Sequence, residues 1–218
     1  MLIGNGFKDC TLSETETAAI VEQALRTLPV DGKRVLVLIP DGTRSMPMPL
    51  MFCLLQDALA RRVAALDFLI ALGTHQPMSD AQKTHLIGRL VTDGQVGRSI
   101  IFNHEWGNPA NFTTIGVIPA KEISQITQGM LAMDVPVSLN RLIDDYDHLI
   151  ICGPVFPHEV VGFSGGNKYL FPGIAGAEII NFTHWLGALI TSYEIIGAGY
   201  TPVRAVIDRA AAMIDVPK

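Results

Sequence analysis

The segment 155–173, VFPHEVVGFSGGNKYLFPG, combines a histidine, a run of small residues and a lysine. A glycine-rich turn can present backbone N–H groups to an anion, and a lysine beside it can add a positive charge. A lysine amine that is removed from water can also act as a nucleophile and become a covalent attachment point. The segment therefore indicates an anion site in which Lys168 is either a phosphate contact or a covalent anchor.

The residues around Lys168 differ from those of a nucleotide-binding P-loop. That loop has glycine directly before its lysine and a hydroxyl residue directly after it. Here Asn167 precedes Lys168 and Tyr169 follows it, so the serine or threonine whose hydroxyl would bind Mg²⁺ is not in place. A phosphoryl-transfer enzyme would also need a carboxylate near the lysine, and Asp41 is the only good candidate. This function is therefore disfavoured.

Polar and titratable residues also follow four predicted buried strands, at the point where each strand ends. In parallel α/β sheets ligands bind at the carboxyl ends of the strands, so these side chains are expected to share one site. They are Asp41, Thr43, Arg44, His75, His104 and His158.

Some of these residues also have a purely structural interpretation. Asp41 and Thr43 could cap the helix that begins near Met48, because their side chains can accept hydrogen bonds from free N–H groups. Arg44, taken alone, could equally be a solvated surface residue. The functional interpretation depends on these groups occurring together.

The histidines differ in how strongly their surroundings indicate chemistry. His75 could cap the turn that follows it, and His104 lies in an asparagine-rich loop where polar side chains are expected. His85 is predicted on a helix surface, and His148 begins a strand and is interpreted as structural. His184 lies on an apolar helix face, which favours a core position over a metal ligand, and no spacing signals a structural zinc site.

The elements that would position these groups alternate between strand and helix. Apolar runs rich in β-branched residues predict buried strands, and amphipathic stretches with polar starts predict helices. Strands are predicted at 34–40, 66–73, 98–103 and 148–154, with a strand or hairpin at 112–119. Helices are predicted at 13–28, 50–62, 79–90, 135–144, 175–190 and 201–214. The alternation predicts a mostly parallel, Rossmann-like α/β sheet in three layers, with helices on both faces.

Composition narrows the class of protein. The 218 residues fit one large domain, and a 49% hydrophobic content can fill its core. A net charge of -5 without basic runs argues against nucleic-acid binding. No signal-peptide pattern and no long apolar run is present, and the three cysteines lack metal or redox spacing. We therefore expect a cytoplasmic protein without a membrane partner.

Several motifs, in their order along the chain, resemble those of the N-terminal domain of the nickel-pincer lactate racemase family. Each motif is weak alone, but the spacing from His158 to Lys168 to His184 is specific. The motifs are DGTR at 41–44, GTH at 73–75, PHEVVGFSGGNK at 157–168, FPG at 171–173 and the later His184. The resemblance covers nearly the whole chain, so residues 1–218 are expected to form one N-terminal cofactor-binding domain.

The resemblance implies a cofactor. In that family it is the nickel-pincer nucleotide, a nickel-bound pyridinium dithio-mononucleotide joined to a lysine through a thioamide. Lys168 would be the attachment point, and His184 would be the protein ligand to nickel. The remaining cofactor contacts would line the phosphate, and these are Ser164, Gly165 and Gly166.

The resemblance also implies a reaction, the racemisation or epimerisation of a 2-hydroxy acid by hydride transfer. His75 and His158 would be the paired acid/base residues, and Arg44 would hold the substrate carboxylate. Asp41 and Thr43 would contact the cofactor or the substrate nearby. The expected partners are the small-molecule hydroxy acid and the enzymes that synthesise the cofactor. Protein made without those enzymes would lack the cofactor.

Two departures from the family pattern bear on function. Gln76 follows the GTH histidine, where family members commonly carry arginine, so the identity of the hydroxy acid is open. Full-length members also carry a second domain that closes over the cofactor, and this domain is not part of the chain. We therefore expect a fragment that does not turn over substrate alone. The alternative function is a non-catalytic anion- or nucleotide-binding module.

Overall fold

The computed structural model describes residues 2–218. The strands, in chain order, are β1 (Arg34–Ile39), β2 (Ala65–Ile70), β3 (Gln95–Val96), β4 (Ser99–Asn103), β5 (Phe112–Ile118), β6 (Val135–Asn140), β7 (His148–Ile151), β8 (Pro157–His158) and β9 (Gly162–Phe163). The α-helices are α1 (Glu14–Arg26), α2 (Met48–Leu59), α3 (Asp80–Ile87), α4 (Ala120–Ile126), α5 (Ala177–Ile190), α6 (Ser192–Ile195) and α7 (Pro202–Ala211). Short 3-10 helices lie at Pro109–Asn111, Arg141–Asp145 and Gly166–Tyr169.

The central sheet has the strand order β3-β4-β2-β1-β7. β4, β2, β1 and β7 are parallel, and the short β3 pairs antiparallel with β4 at one edge. Ile39 of β1 is opposite Ile70 of β2, so these parallel strands end at the same edge. β5 and β6 form a separate antiparallel pair, which confirms the strand expected at 112–119.

Alternate residues of β1 face opposite sides of the sheet. Val35, Val37 and Ile39 pack in a core with residues of α1, α2 and α3. Leu36 and Leu38 pack in a second core with residues of α5, α7, β5 and β6. All five side chains are fully buried, as expected for a strand that is covered on both faces. The predicted α/β fold, with helices on both faces of a mostly parallel sheet, is confirmed.

The prediction of a helix at 135–144 is wrong. Its first six residues form β6, and a 3-10 helix at Arg141–Asp145 follows. Val135, Val137 and Leu139 are buried at alternate positions, which is the period-two pattern of a strand. Pairing with β5 then determines the strand conformation.

Within residues 2–218, none of the helices combines the length and the apolar character needed to cross a membrane.

Candidate active site

The carboxyl ends of β1, β2 and β7 open into one cavity of about 200 Å³. The loops that follow these strands form most of its wall, and α5 closes one side. Eight of the residues predicted from sequence line it, namely Asp41, Arg44, His75, His158, Ser164, Gly165, Lys168 and His184. Thr43 and Gly166 lie outside this lining, as does His104. The structure thus brings most of the predicted residues together at one sheet edge.

Asp41 and His75 form a hydrogen-bonded pair across the ends of β1 and β2. His75 Nδ1 contacts Asp41 Oδ2, and the Asp41 side chain is only 9% exposed. Burial opposes ionisation of Asp41, but hydrogen bonds from Thr43 and His75 outweigh it, and the pKa of Asp41 lies below its ordinary value. An ionised carboxylate can only accept, so Nδ1 of His75 carries the hydrogen. The Nε2 atom of neutral His75 therefore has a free lone pair.

Thr43 supports this pair and does not cap a helix. Its N–H donates to Asp41 Oδ1 over 3.0 Å and its hydroxyl donates to the same oxygen over 2.5 Å. α2 begins after Pro47 without a side-chain hydrogen bond at its N-terminus. The structural alternative for Asp41 and Thr43 is therefore wrong. Both Asp41 oxygens are engaged, which also weakens Asp41 as a magnesium ligand for phosphoryl transfer.

His158 lies in β8 in different surroundings. Its Nδ1 accepts a hydrogen bond of 3.1 Å from the Val160 N–H, so the neutral ring carries its hydrogen on Nε2. Burial lowers the pKa of His158 to about 4, and the positive charge of Lys168 acts in the same direction. The Glu159 carboxylate partly opposes this lowering of the pKa. His158 is therefore a neutral hydrogen-bond donor over most of the working pH range.

Lys168 lies in the 3-10 helix that follows the glycine pair. Its backbone N–H donates to the Gly165 carbonyl, and Gly165 has a φ of 83°, which glycine adopts readily. Burial and, to a smaller extent, the nearby Arg44 guanidinium lower the pKa of Lys168 from 10.5 to about 8. About a tenth of the amine is therefore neutral at pH 7, far more than for an ordinary lysine, and the neutral form is the one that can attack an electrophile.

The Ser164 hydroxyl forms two hydrogen bonds to the backbone of the same loop, at residues 154 and 156. It accepts from the Phe156 N–H over 3.0 Å and donates to the Pro154 carbonyl over 3.1 Å. From the other side, the Arg204 guanidinium of α7 donates to the carbonyls of Phe163 and Gly165. Ser164 therefore positions the loop, and its hydroxyl hydrogen is already used.

His184 does not occupy the core position that its apolar helix face predicted. It is exposed and lines the cavity. Its Nδ1 lies 2.8 Å from the Ile180 carbonyl, which can only accept, so Nδ1 carries the hydrogen. The lone pair on Nε2 remains available for a metal ion. A histidine that binds a metal commonly donates its other ring N–H to a carbonyl in this way.

His104 is fully buried and is not the loop surface residue that its sequence context suggested. Its Nδ1 lies 3.1 Å from the Asn140 side-chain amide, and its ring packs edge-on against Phe112. Burial lowers its pKa to about 4. His148 is likewise buried at the start of β7, whereas His85 is exposed. The structural interpretation of His148 and the surface position of His85 agree with the structure.

Arg44 is half-buried and lies over the Phe156 ring, with its guanidinium carbon 5.9 Å from the ring centre. Among the described residues, its guanidinium forms no ion pair. The planar donors are therefore available to a carboxylate, which an arginine side chain binds through paired hydrogen bonds.

Sequence reasoning missed Glu159, Tyr169 and Arg204. Glu159 and Tyr169 line the cavity, and Glu159 Oε2 lies 3.5 Å from His158 Nδ1. Tyr169 packs so closely on Gly153 that a Cβ there would lie 1.8 Å from its hydroxyl oxygen. The proximity of Glu159 and Tyr169 to matched motif residues was a usable signal, but nothing local identifies Arg204.

The cavity suits a cofactor that brings its own metal ligands. Within residues 2–218, no three side chains of His, Cys, Asp or Glu come close enough together to hold a metal ion. One wall offers the lone pair of His184 and another offers the partly neutral amine of Lys168. A single histidine ligand and one nucleophilic amine fit a covalently attached group that already carries the metal.

Sequence comparisons give a consistent assignment. The family model described as the lactate racemase N-terminal domain matches residues 12–196. Lactate racemase from Thermoanaerobacterium thermosaccharolyticum is 27% identical over 162 residues, covering 73% of this chain and 34% of that protein. Lactate racemase from Lactiplantibacillus plantarum is 26% identical over 182 residues, covering 79% and 39% respectively. The chain therefore spans little more than a third of these relatives.

Solved structures show the same similarity. A crystal structure of a protein from Thermotoga maritima matches 98% of this chain and 49% of its own, with a TM-score of 0.83 and 31% identity. The lactate racemase apoprotein from T. thermosaccharolyticum matches 90% and 46%, with a TM-score of 0.68 and 25% identity. The family suggested by the spacing of the histidines and the lysine is confirmed. This chain belongs to the lactate racemase N-terminal domain family.

Proposed function

We propose that this chain is the cofactor-binding and acid/base part of a racemase or epimerase of 2-hydroxy acids. The observation that carries the proposal is that one cavity is lined by two histidines with opposite hydrogen placement and by Arg44, which forms no ion pair within residues 2–218. Racemisation by hydride transfer needs a proton acceptor for one hydroxyl orientation and a proton donor for the other. The names of the relatives support an isomerase, although the chain spans little more than a third of them.

Arg44 would bind the substrate carboxylate. Its guanidinium forms no ion pair among the described residues, and its position over Phe156 restricts its orientation. Two parallel N–H donors would hold the carboxylate in one plane and fix the direction of the reacting carbon.

His75 and His158 would exchange protons with the substrate hydroxyl. Nε2 of neutral His75 can accept the hydroxyl proton, and the ionised Asp41 stabilises the resulting imidazolium. For the opposite enantiomer, His158 would act as the acid in its doubly protonated form, with the Nδ1 hydrogen facing the Glu159 carboxylate 3.5 Å away. Transfer of the Nε2 proton to the substrate oxygen then returns the ring to its neutral form, with a lone pair on Nε2. For the reverse direction the two rings exchange their proton states.

Lys168 and His184 would hold the nickel-pincer nucleotide, Lys168 through its amine and His184 through Nε2. The loop at Ser164, Gly165 and Gly166 would lie along the phosphate. When bound, this cofactor supplies the hydride acceptor, a chemistry that side chains lack. The proposal includes the cofactor-synthesis enzymes as partners. It also includes a cytoplasmic location, because the cysteines Cys10, Cys53 and Cys152 are all free thiols.

Production of the protein that contains this chain, together with the cofactor-synthesis enzymes, tests the proposal. We expect a mass increment on the peptide that carries Lys168, bound nickel, and interconversion of the enantiomers of a 2-hydroxy acid. Lys168→Ala should lose the increment, whereas the exposed control Lys121→Ala should keep it. An unmodified Lys168 under these conditions would refute the proposal.

A further inference from the structure

A second cavity, of about 1100 Å³, adjoins the Asp41–His75 pair. It shares Asp41, Arg44 and His75 with the first cavity, together with Leu72 and Thr74. His158, Lys168 and His184 do not line it. It therefore extends from the end that would bind substrate, away from the end that would hold the cofactor.

Apolar side chains form most of this cavity, and we call it the methionine groove after Met46, Met48 and Met78. Met48 is only 1% exposed and Leu72 only 3%, so they form the floor. Met46 and Met78 are half-buried at its walls. Methionine side chains are flexible and polarisable, so such walls adapt to apolar groups of different shape.

The backbone beneath Met78 is held in place. The Asn103 side chain accepts from the Met78 N–H over 3.1 Å and donates to the Met78 carbonyl over 2.9 Å. The terminal methyl of Met78 lies 3.8 Å from the position of a Cβ on Gly42, directly after Asp41. The backbone of this groove wall is therefore held by hydrogen bonds, and the Met78 side chain extends to the turn at Asp41 and Gly42.

Charges are confined to the inner end of the groove, at Asp41 and Arg44. The lining also includes the neutral amides of Gln76 and Gln82, and its other titratable groups are His75 and His85. Among residues 2–218, Arg44 is the one lysine or arginine in this lining and is assigned to the first carboxylate, so no second permanent cation is present for another carboxylate and the apolar floor favours an apolar group.

The stereochemistry of the proposed reaction decides which substituent can enter. With the carboxylate on Arg44 and the departing hydrogen directed to the cofactor, the two enantiomers differ by exchange of the hydroxyl and the C2 substituent. When the hydroxyl faces His158, the substituent points toward His75, where the methionine groove opens.

We propose that the methionine groove binds the C2 substituent of one substrate enantiomer, the one whose hydroxyl faces His158. The substrate is a 2-hydroxy acid with an aliphatic or aromatic substituent larger than a methyl group. This inference rests on the proposed function, because that function places the carboxylate and the hydroxyl.

Binding to the chain itself tests the inference without the cofactor. The protein is labelled with ¹³C in its methionine methyl groups and titrated with each enantiomer of 2-hydroxyhexanoate and of lactate. Because no cofactor directs the C2 hydrogen in this experiment, either enantiomer of 2-hydroxyhexanoate should shift the Met46 and Met78 signals. Each should bind about tenfold tighter than lactate, because added methylenes bind in an apolar pocket. The exposed Met130 and Met133 should not shift.

Two variants separate groove binding from a folding effect. Met78→Glu and Met78→Ala should both reduce the preference for 2-hydroxyhexanoate, whereas the control Met130→Glu should preserve it. Equal affinity for the two acids, absence of any shift at Met46 and Met78, or an unchanged preference in both Met78 variants would each overturn the inference. Failure of Lys168 to acquire a cofactor would refute the proposed function separately, since these titrations do not involve Lys168.

Discussion

His75 and His158 line the same cavity in opposite surroundings. The His75 side chain is 52% exposed and donates to a buried, ionised carboxylate. The His158 side chain is 10% exposed and accepts from a backbone N–H, with the cations Lys168 and Arg44 nearby. One ring therefore offers a lone pair and the other offers a hydrogen. The contrast shows that the contact made by Nδ1 determines which ring nitrogen carries the hydrogen, since the two residues are chemically identical.

The largest expected effect comes from removal of either ring. In the cofactor-loaded protein that contains this chain, His75→Ala and His158→Ala should each abolish measurable racemisation, because acid/base groups contribute roughly 10²- to 10⁴-fold. Chiral analysis of the product measures activity, and a mass spectrum of the Lys168 peptide measures cofactor. Both variants should keep the cofactor. If they lost it to the same extent as Lys168→Ala, the assigned roles would be wrong.

Replacement of the Asp41 carboxylate by an amide should give His75 the same hydrogen placement as His158. In Asp41→Asn the amide can donate to Nδ1, which would move the ring hydrogen to Nε2 and remove the proton acceptor. We expect activity to fall by roughly 10²-fold or more. Nitrogen NMR of labelled histidine should show the hydrogen on Nδ1 in the unaltered protein and on Nε2 in the variant. An unchanged His75 spectrum would contradict the pairing.

Acid should destabilise the fold through histidines that are buried in their neutral form. The pKa of His104 and of His158 is lowered from 6.5 to about 4 in the folded chain. Between these values the unfolded chain binds more protons, so stability is lost as the pH falls from 6.5 toward 4. His104 should contribute on the order of a few kcal/mol, and the partly solvated His158 less because of screening.

Urea unfolding at a series of pH values measures this loss of stability. His158→Gln should remove the smaller part of the slope and His104→Gln the larger part. A free energy of unfolding that stays constant across this pH range would show that neither ring is kept neutral by the fold.

The smallest expected effect concerns Glu159. Its carboxylate lies 3.5 Å from His158 Nδ1 and would be the partner of that atom whenever it carries a hydrogen. Glu159→Gln should lower the pKa of His158 still further, because the carboxylate favours the charged ring. Racemisation should fall by only a few-fold, since Glu159 is largely exposed and its charge is screened.

An NMR titration of His158 tests this prediction, with Glu14→Gln on the distant α1 as the control. An unchanged His158 titration in Glu159→Gln would remove Glu159 from the acid/base system.

Local patterns were sufficient for most of the fold. A continuous apolar run rich in β-branched residues identified β1, and a second, largely apolar run identified β2. Ser13, which precedes α1, accepts from the Glu16 N–H as expected at a helix start. The misassigned β6 has the alternation of a strand, but its six residues are too few to distinguish it from a short helix. Pairing with β5, which lies earlier in the chain, decides between the two.

The sequence was sufficient to predict which residues follow the ends of the strands, but not the surroundings of each side chain in the site. Periodicity placed His184 on an apolar face, but it cannot distinguish a face that packs in the core from one that borders a cavity. The burial of His104 depends on Phe112 and Asn140 of the β5–β6 pair. The hydrogen bonds from Arg204 to the Phe163 and Gly165 carbonyls join residues about forty positions apart. Such contacts leave no local pattern in the sequence.

The close approach of Tyr169 to Gly153 has an evolutionary consequence. A methyl group at position 153 would collide with the tyrosine hydroxyl at 1.8 Å, so the aromatic ring of the residue next to Lys168 in the chain can lie in this position only if residue 153 lacks a side chain. The two positions should therefore change together among relatives, with an aromatic residue at 169 accompanied by glycine at 153. An engineer who wishes to redesign this wall of the cavity must alter both positions at once.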